Sequence, residues 1–136
     1  MSNEKIGIVV SDTYKDITNA MLEVAKTHVE FLGAKVVKII NVPGSFEIPF
    51  VVKKMLINKE IDGIVTLGAV VQGDTDHDII VAQNAARKIM DLSLEYTKPV
   101  GLGISGPKMT RMDAMKRIDK FGRGTVEAVI KMLRNV

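Results

Sequence analysis

Two rhythms of apolar and polar positions alternate along the chain. Lys5 to Ser11 carries a near-continuous β-branched run through Ile6, Ile8, Val9 and Val10, as a strand buried on both faces does. After the turn residues Asp12 and Thr13, apolar Ile17, Met21, Ala25, Val29 and Leu32 recur at helical spacing. They predict a helix over Asp16 to Leu32, stopped by Gly33. His28 falls on the polar side of that helix and reads as a surface residue. Ala34 to Val42 is a second strand, broken by Pro43 and Gly44. A helix over Phe46 to Asn58 follows, with Pro49 tolerated in its first turn, where amide hydrogens lack partners anyway. Ile61 to Val71 is the most apolar strand and belongs in the middle of a sheet. Gly73 to Asp76 form a polar turn, and Thr75 is set to cap the next helix with Asp78 as its partner. That helix runs to Glu95, with Ile79, Ala82, Ala86, Ile89 and Ser93 on one face. Val100 to Ser105 is a fourth strand and Ser105 to Pro107 a loop. Helices over Thr110 to Asp119 and Gly124 to Arg134 close the chain on either side of Gly122.

Strands alternating with helices call for a parallel sheet covered on both faces, and right-handed crossovers limit its topology. The expected fold is α/β: a single three-layer α/β/α domain over residues 1–136, with a four-stranded parallel, flavodoxin-like sheet in the order 2-1-3-4. No repeat, low-complexity segment or linker interrupts it.

Composition narrows the function. With no cysteine, disulfides, thiolate metal sites and cysteine nucleophiles are excluded. The net charge of +3 is too mild, and aromatic residues at 4% too sparse, for a nucleic-acid surface. No apolar run is long enough to span a bilayer, and Met1 to Lys5 lacks the apolar stretch of a signal peptide. A cytoplasmic chain with neither membrane nor nucleic-acid partners is expected. Lys108, Arg111, Lys116, Arg117, Lys120 and Arg123 concentrate positive charge near the end, as a solvated helix face or a small-anion site does.

In such a sheet ligands bind beyond the carboxyl ends of the strands. The loops Ser11–Lys15, Val42–Glu47, Val71–His77 and Ser105–Thr110 meet there. Gly73-Asp74-Thr75, ahead of a helix N-terminus, is the best candidate cradle for an anion. Neither a dinucleotide-type GxGxxG after the first strand nor a P-loop is present. His77 lies at this edge. Histidine moves protons near neutral pH without much tuning, but position alone fits a loop-packing role equally well. No metal-ligand spacing stands out from the solvated Asp74, Asp76 and Asp78.

At this point the residues become specific. Val42-Pro43-Gly44-Ser45-Phe46-Glu47-Ile48-Pro49 resembles the lumazine synthase signature after the second strand. Leu67-Gly68-Ala69-Val70-Val71-Gln72-Gly73-Asp74-Thr75-Asp76-His77 resembles that family's second signature, including its catalytic histidine. The stretch from Leu102 to Arg111 is most similar to the archaeal branch, and the resemblance covers essentially the whole chain.

The resemblance implies that Glu47, with backbone groups of Ser45 and Phe46, binds a ribityl chain. Val70 and Val71 would line a pyrimidine pocket, and Gly73, Asp74 and Thr75 hold a phosphate. His77 would transfer protons, Arg117 would bind phosphate, and Arg123 falls where many members have a lysine. It further implies small-molecule substrates, no cofactor and no metal. Homopentamers, with a shell of twelve pentamers as the larger assembly, would share each site between neighbours. Leu102, Arg117 and Arg123 would then face the loops of an adjacent subunit. Thr13 stands where many members place an aromatic ring over the pyrimidine, with Tyr14 adjacent to take that place. Leu102 also occupies a position that is often aromatic.

Rival readings have footholds. The related archaeal riboflavin synthase shares the fold, but the Gly73 to His77 run argues against it. A receiver-like module fits Asp12 but needs an acceptor aspartate where the third strand ends in Val70-Val71-Gln72. A shell protein without catalysis has no need of His77 and Glu47. For Glu47 and Arg117, the residues alone allow a dipole-favoured helix acid and an exposed helix arginine.

Overall fold

The computed structural model describes residues 3–136, so Met1 and Ser2 of the expected leaderless N-terminus lie outside the described residues. The elements are β1 (Lys5–Ser11), α1 (Lys15–Phe31), β2 (Lys35–Val42), a 3-10 turn (Ser45–Glu47), α2 (Ile48–Ile57), β3 (Gly63–Ala69), α3 (His77–Tyr96), β4 (Val100–Gly101), β5 (Ile104–Ser105), α4 (Arg111–Lys116) and α5 (Ile118–Asn135). The sheet is parallel, in the order β2-β1-β3-β4, with β5 pairing β3 beyond the end of β4.

Two apolar layers cover the sheet. Ile8 and Val10 of β1 and Val65 and Leu67 of β3 face α1 and α5, where Met21, Val29, Val126 and Ile130 pack. Val9 and Ile64 face the opposite way, onto Val52, Met55, Ala82 and Ile89 of α2 and α3. Side chains of a strand alternate between faces, so burial on both sides demands the continuous apolar runs that the sequence carries. β2 is the edge strand and is largely exposed. No helix among the described residues is long and apolar enough to cross a membrane.

The expected single fourth strand is two short pieces. Thr66, fully buried in β3, donates its hydroxyl to the Gly101 carbonyl at 2.7 Å and accepts from the Gly103 amide at 3.1 Å. A side chain inserted into the ladder splits it and turns Leu102 outward, 47% exposed.

Gly122 does not separate two helices; it lies inside α5, and the break falls at Arg117 instead. A Cβ on Gly122 would stand 2.7 Å from a Val24 methyl, so the glycine lets α5 press on α1. The same packing corrects His28. It is only 6% exposed, because α5 covers that side of α1; its Nε2 lies 2.9 Å from Glu127 and its ring stacks on Phe31.

The expected capping box at Thr75 and Asp78 is not formed. Thr75 Oγ accepts from the His77 amide at 3.3 Å, Asp76 is the N-cap without a side-chain cap, and Asp78 bonds elsewhere. The capping box of this chain is on α4, where Thr110 and Asp113 exchange bonds of 3.1 Å. The Thr110 backbone amide, then its hydroxyl, holds the Asp113 carboxyl below its ordinary value.

Candidate active site

The carboxyl ends of β1, β2 and β3 open into a cavity of about 490 Å³, within the range of small-molecule sites. The loops after β1 and β2 are laced together first. The Asp12 amide donates to the Val42 carbonyl at 2.7 Å, and Asn41 Nδ2 donates to Asp12 at 2.9 Å. Thr13 donates its hydroxyl to the Pro43 carbonyl at 2.8 Å while its amide reaches Ser11 Oγ at 3.2 Å. Thr13 thereby spends its side chain on the neighbouring loop, at the cavity wall.

The second loop turns through the 3-10 segment. Ser45, Phe46 and Glu47 all line the cavity. Ser45 is buried, at 4% exposed, and presents little beyond its backbone. Phe46 is 59% exposed. The Glu47 amide closes the turn on the Gly44 carbonyl at 3.1 Å, and its exposed carboxylate enters none of the ion pairs among the described residues. It is therefore free to accept hydrogen bonds from a ligand.

The third wall follows β3. Val70 is buried and Val71 half-buried; both line the cavity, as do Gly73 and His77. Asp74 and Thr75 are exposed and join Gly73 to His77 along its rim, outside the lining. The first turn of α3 begins here, so the positive end of the helix dipole lies at this rim. Such an arrangement suits an anion beside an exposed imidazole.

Three expected residues are elsewhere in this chain. Leu102 lines a separate recess with Lys120, Phe121 and Thr125. Arg117 is exposed at the α4–α5 junction, with Nη1 donating to the Asp113 carbonyl at 3.3 Å. Arg123 pairs with Asp119 at 2.9 and 3.0 Å and borders a recess beside His28 and Phe31. None of the three lines the cavity of its own chain.

Tyr14, offered by the sequence as the aromatic neighbour of Thr13, lines the cavity beside walls that the sequence did not single out. Ile80 and Val81 line it from the first turns of α3. Tyr14 holds a left-handed backbone conformation at φ 57°, and its ring carries the Arg111 guanidinium 5.4 Å from its centroid. Arg111 also pairs with Asp16. Asp78, only 4% exposed, completes the wall beside His77. For Asp78 no signal in the sequence separates it from a helix cap.

Residues 3–136 match the family model described as 6,7-dimethyl-8-ribityllumazine synthase. The chain belongs to this family. A relative of that name from Methanothermobacter thermautotrophicus is 53% identical over 136 residues, covering 100% of this chain and 97% of the relative. Relatives of the same name from Methanopyrus kandleri and Archaeoglobus fulgidus are 53% and 52% identical, covering 100% of this chain and 96% and 94% of their own lengths. Among solved structures, the ABC domain in complex with L-Trp from Streptococcus pneumonia aligns with a TM-score of 0.50 at 18% identity. It covers 98% of this chain and 41% of that one, and the likeness bears on the fold alone. In the folded chain Glu47 and His77 line one cavity.

Proposed function

We propose that this chain is the transferase that makes 6,7-dimethyl-8-ribityllumazine, the penultimate step toward riboflavin. It condenses 5-amino-6-(D-ribitylamino)uracil with 3,4-dihydroxy-2-butanone 4-phosphate. The observation that carries this reading is the meeting of Glu47 and His77 at one cavity, in a chain whose residues 3–136 match the family.

The reaction is a set of condensations and one elimination. The pyrimidine amine attacks the ketone and water leaves, giving an imine. Phosphate is then eliminated, and ring closure expels a second water. No electrons are transferred to or from an external carrier, so the chemistry needs no redox cofactor. It needs two substrates held together, an anion site and a proton shuttle. Orientation of paired reactants supplies up to about 7–11 kcal/mol in ideal cases, and a positioned histidine about 10²–10⁴-fold.

The roles follow from placement. His77 moves protons at the cavity rim. Glu47, with backbone groups of Ser45 and Phe46, holds the ribityl hydroxyls. Thr13, Val70 and Val71 bound the pyrimidine. Gly73, Asp74 and Thr75 hold the phosphate at the start of α3. Arg117 and Arg123 supply cations to that phosphate, and Leu102 an apolar wall to the pyrimidine, from an adjacent copy. Their location outside the cavity of their own chain supports a homopentamer with shared sites, the unit from which a sixty-subunit shell is built. The chain works in this reading as one domain, residues 1–136, in the cytoplasm.

The test is direct. Purified protein mixed with both substrates is expected to generate the absorbance and fluorescence of the lumazine. A folded, oligomeric protein that yields no product would overturn the reading in favour of a non-catalytic shell protein.

A further inference from the structure

One buried carboxylate at the cavity has no part in the proposed chemistry. Asp78 sits in the first turn of α3, one residue after His77, and is only 4% exposed. A carboxylate withdrawn from water is costly unless hydrogen bonds replace its hydration. No ion pair among the described residues includes Asp78; its partner is the backbone amide of Lys108, which donates to Oδ2 at 2.9 Å. A backbone amide on a carboxylate is a charge-assisted, directional bond. Lys108 itself is held at φ 61°, a conformation that side chains other than glycine seldom adopt.

The position of this bond gives it a purpose. From Gln72 to His77 every residue is exposed. The His77 amide donates to Thr75 Oγ, and the Asp76 carbonyl accepts from the Ile79 and Ile80 amides of α3, but between its ends no hydrogen bond among the described residues ties the segment to anything but α3. Both of its ends are fastened to the same opposing loop, residues 105–110. Before the segment, the Val70 amide donates to the Ser105 carbonyl at 2.8 Å; at its start, the Gln72 amide donates to the Met109 carbonyl at 2.7 Å. After its end, the Asp78 carboxylate takes the Lys108 amide. The first two are backbone ties that do not depend on the side chain. The third depends on one side chain.

We infer that Asp78 is a positioning residue. It anchors the downstream end of the 73–77 segment to the 105–110 loop, and so sets where His77 and the anion-binding amides stand. The inference rests on the proposed reaction for its kinetic consequence, but not for the tether itself.

Three variants and two readouts test it. Asp78→Asn keeps an acceptor oxygen for the Lys108 amide; Asp78→Ala removes it. If the alanine variant does not fold, Asp78→Ser, whose hydroxyl is too short to span to the amide, takes its place. A misplacement of the order of an ångström costs up to ~10²-fold. Asp78→Ala is therefore expected to lower kcat about tenfold and raise KM for the phosphate substrate about tenfold, with KM for the pyrimidine within about twofold of the parent. Asp78→Asn should stay within about threefold on every constant. Independently, hydrogen exchange at the Lys108 amide should accelerate at least about tenfold in Asp78→Ala and be unchanged in Asp78→Asn. The proposal is overturned by parental kinetics in Asp78→Ala, by equal damage in the alanine and asparagine variants, or by unaltered Lys108 exchange. If the parent protein itself makes no lumazine, the proposed reaction fails, and the exchange measurement alone decides the tether.

Discussion

The rim of the sheet and the C-terminal helices divide the expected binding residues between them. At the rim, Thr13, Glu47, Val70 and His77 surround a cavity that exists within one chain. At the α4–α5 junction and on α5, Arg117 and Arg123 stand exposed, held by the Asp113 carbonyl and the Asp119 carboxylate, and neither lines the cavity. The rim is built by hydrogen bonds between loops, which fix it before any ligand arrives. The arginines are held by exposed helical contacts, which are weak and easily exchanged for a better anion. One chain thus presents a shaped pocket and, away from it, exposed cations, which in the proposed pentamer would complete a neighbour's site.

The largest expected effect belongs to the rim. His77→Ala should lower kcat by about 10²-fold, the low end for general acid–base catalysis, and should not abolish turnover, because orientation survives. Steady-state kinetics with both substrates would measure this. A complete loss in a folded variant would show that His77 also builds the pocket, and would blur the contrast.

Arg117→Ala tests the other side. Losing a charged hydrogen bond to phosphate is expected to raise KM for the phosphate substrate by about 10- to 100-fold, leaving KM for the pyrimidine near its starting value. An unchanged phosphate dependence would remove Arg117 from the site and leave the C-terminal helices a purely structural role.

What the sequence made legible divides along similar lines. β1 and β3 stood out because burial on both faces forces unbroken apolar runs, and the rim loops followed from the rule that parallel strands end at the ligand. The errors all concern a partner the local pattern does not contain. His28 looked solvated because nothing in α1 announces that α5 lies over it. Gly122 looked like a helix break because a glycine does not say whether it bends a chain or admits a neighbour. The fourth strand looked whole because the residue that splits it, Thr66, belongs to another strand. Asp78 looked like a cap because its acceptor role is answered by a backbone amide, which leaves no mark in side-chain identity. Arg117, Arg123 and Leu102 could be named from motif resemblance but not placed at the cavity, since no single chain brings them there.

Gly122→Ala probes whether the α1–α5 contact matters to the arginines. A new Cβ would lie 2.7 Å from a Val24 methyl and 3.2 Å from the Met21 carbonyl. Overpacking of that kind costs about 1–3 kcal/mol, and the better helix propensity of alanine returns about 1 kcal/mol. A net destabilisation near 1 kcal/mol in urea unfolding is expected. If stability falls while KM for phosphate is unmoved, α5 tolerates a shift without disturbing the anion site.

The smallest effect is expected where α5 is fastened to the start of the sheet. Arg134 donates to both carboxylate oxygens of Glu4, at 3.0 and 3.3 Å, and also reaches the Leu32 carbonyl. The hydrogen bond from Arg134 holds the Glu4 carboxyl below its ordinary value of 4.5. Because the folded state prefers the ionised acid, the stabilisation is complete above that value and is lost as pH falls through the lowered one. Both side chains keep some contact with water, at 35% and 15% exposed, so screening keeps the contribution of the pair small. Arg134→Ala should therefore reduce stability slightly at pH 7, and urea melts of parent and variant should converge as pH falls below the lowered value and Glu4 protonates in both. Kinetics should stay within about twofold, since the bond lies at the opposite end of the strands from the cavity. A kinetic change there would mean that the seating of α5 governs its arginines, and that the two regions are coupled within one chain before any neighbour joins them.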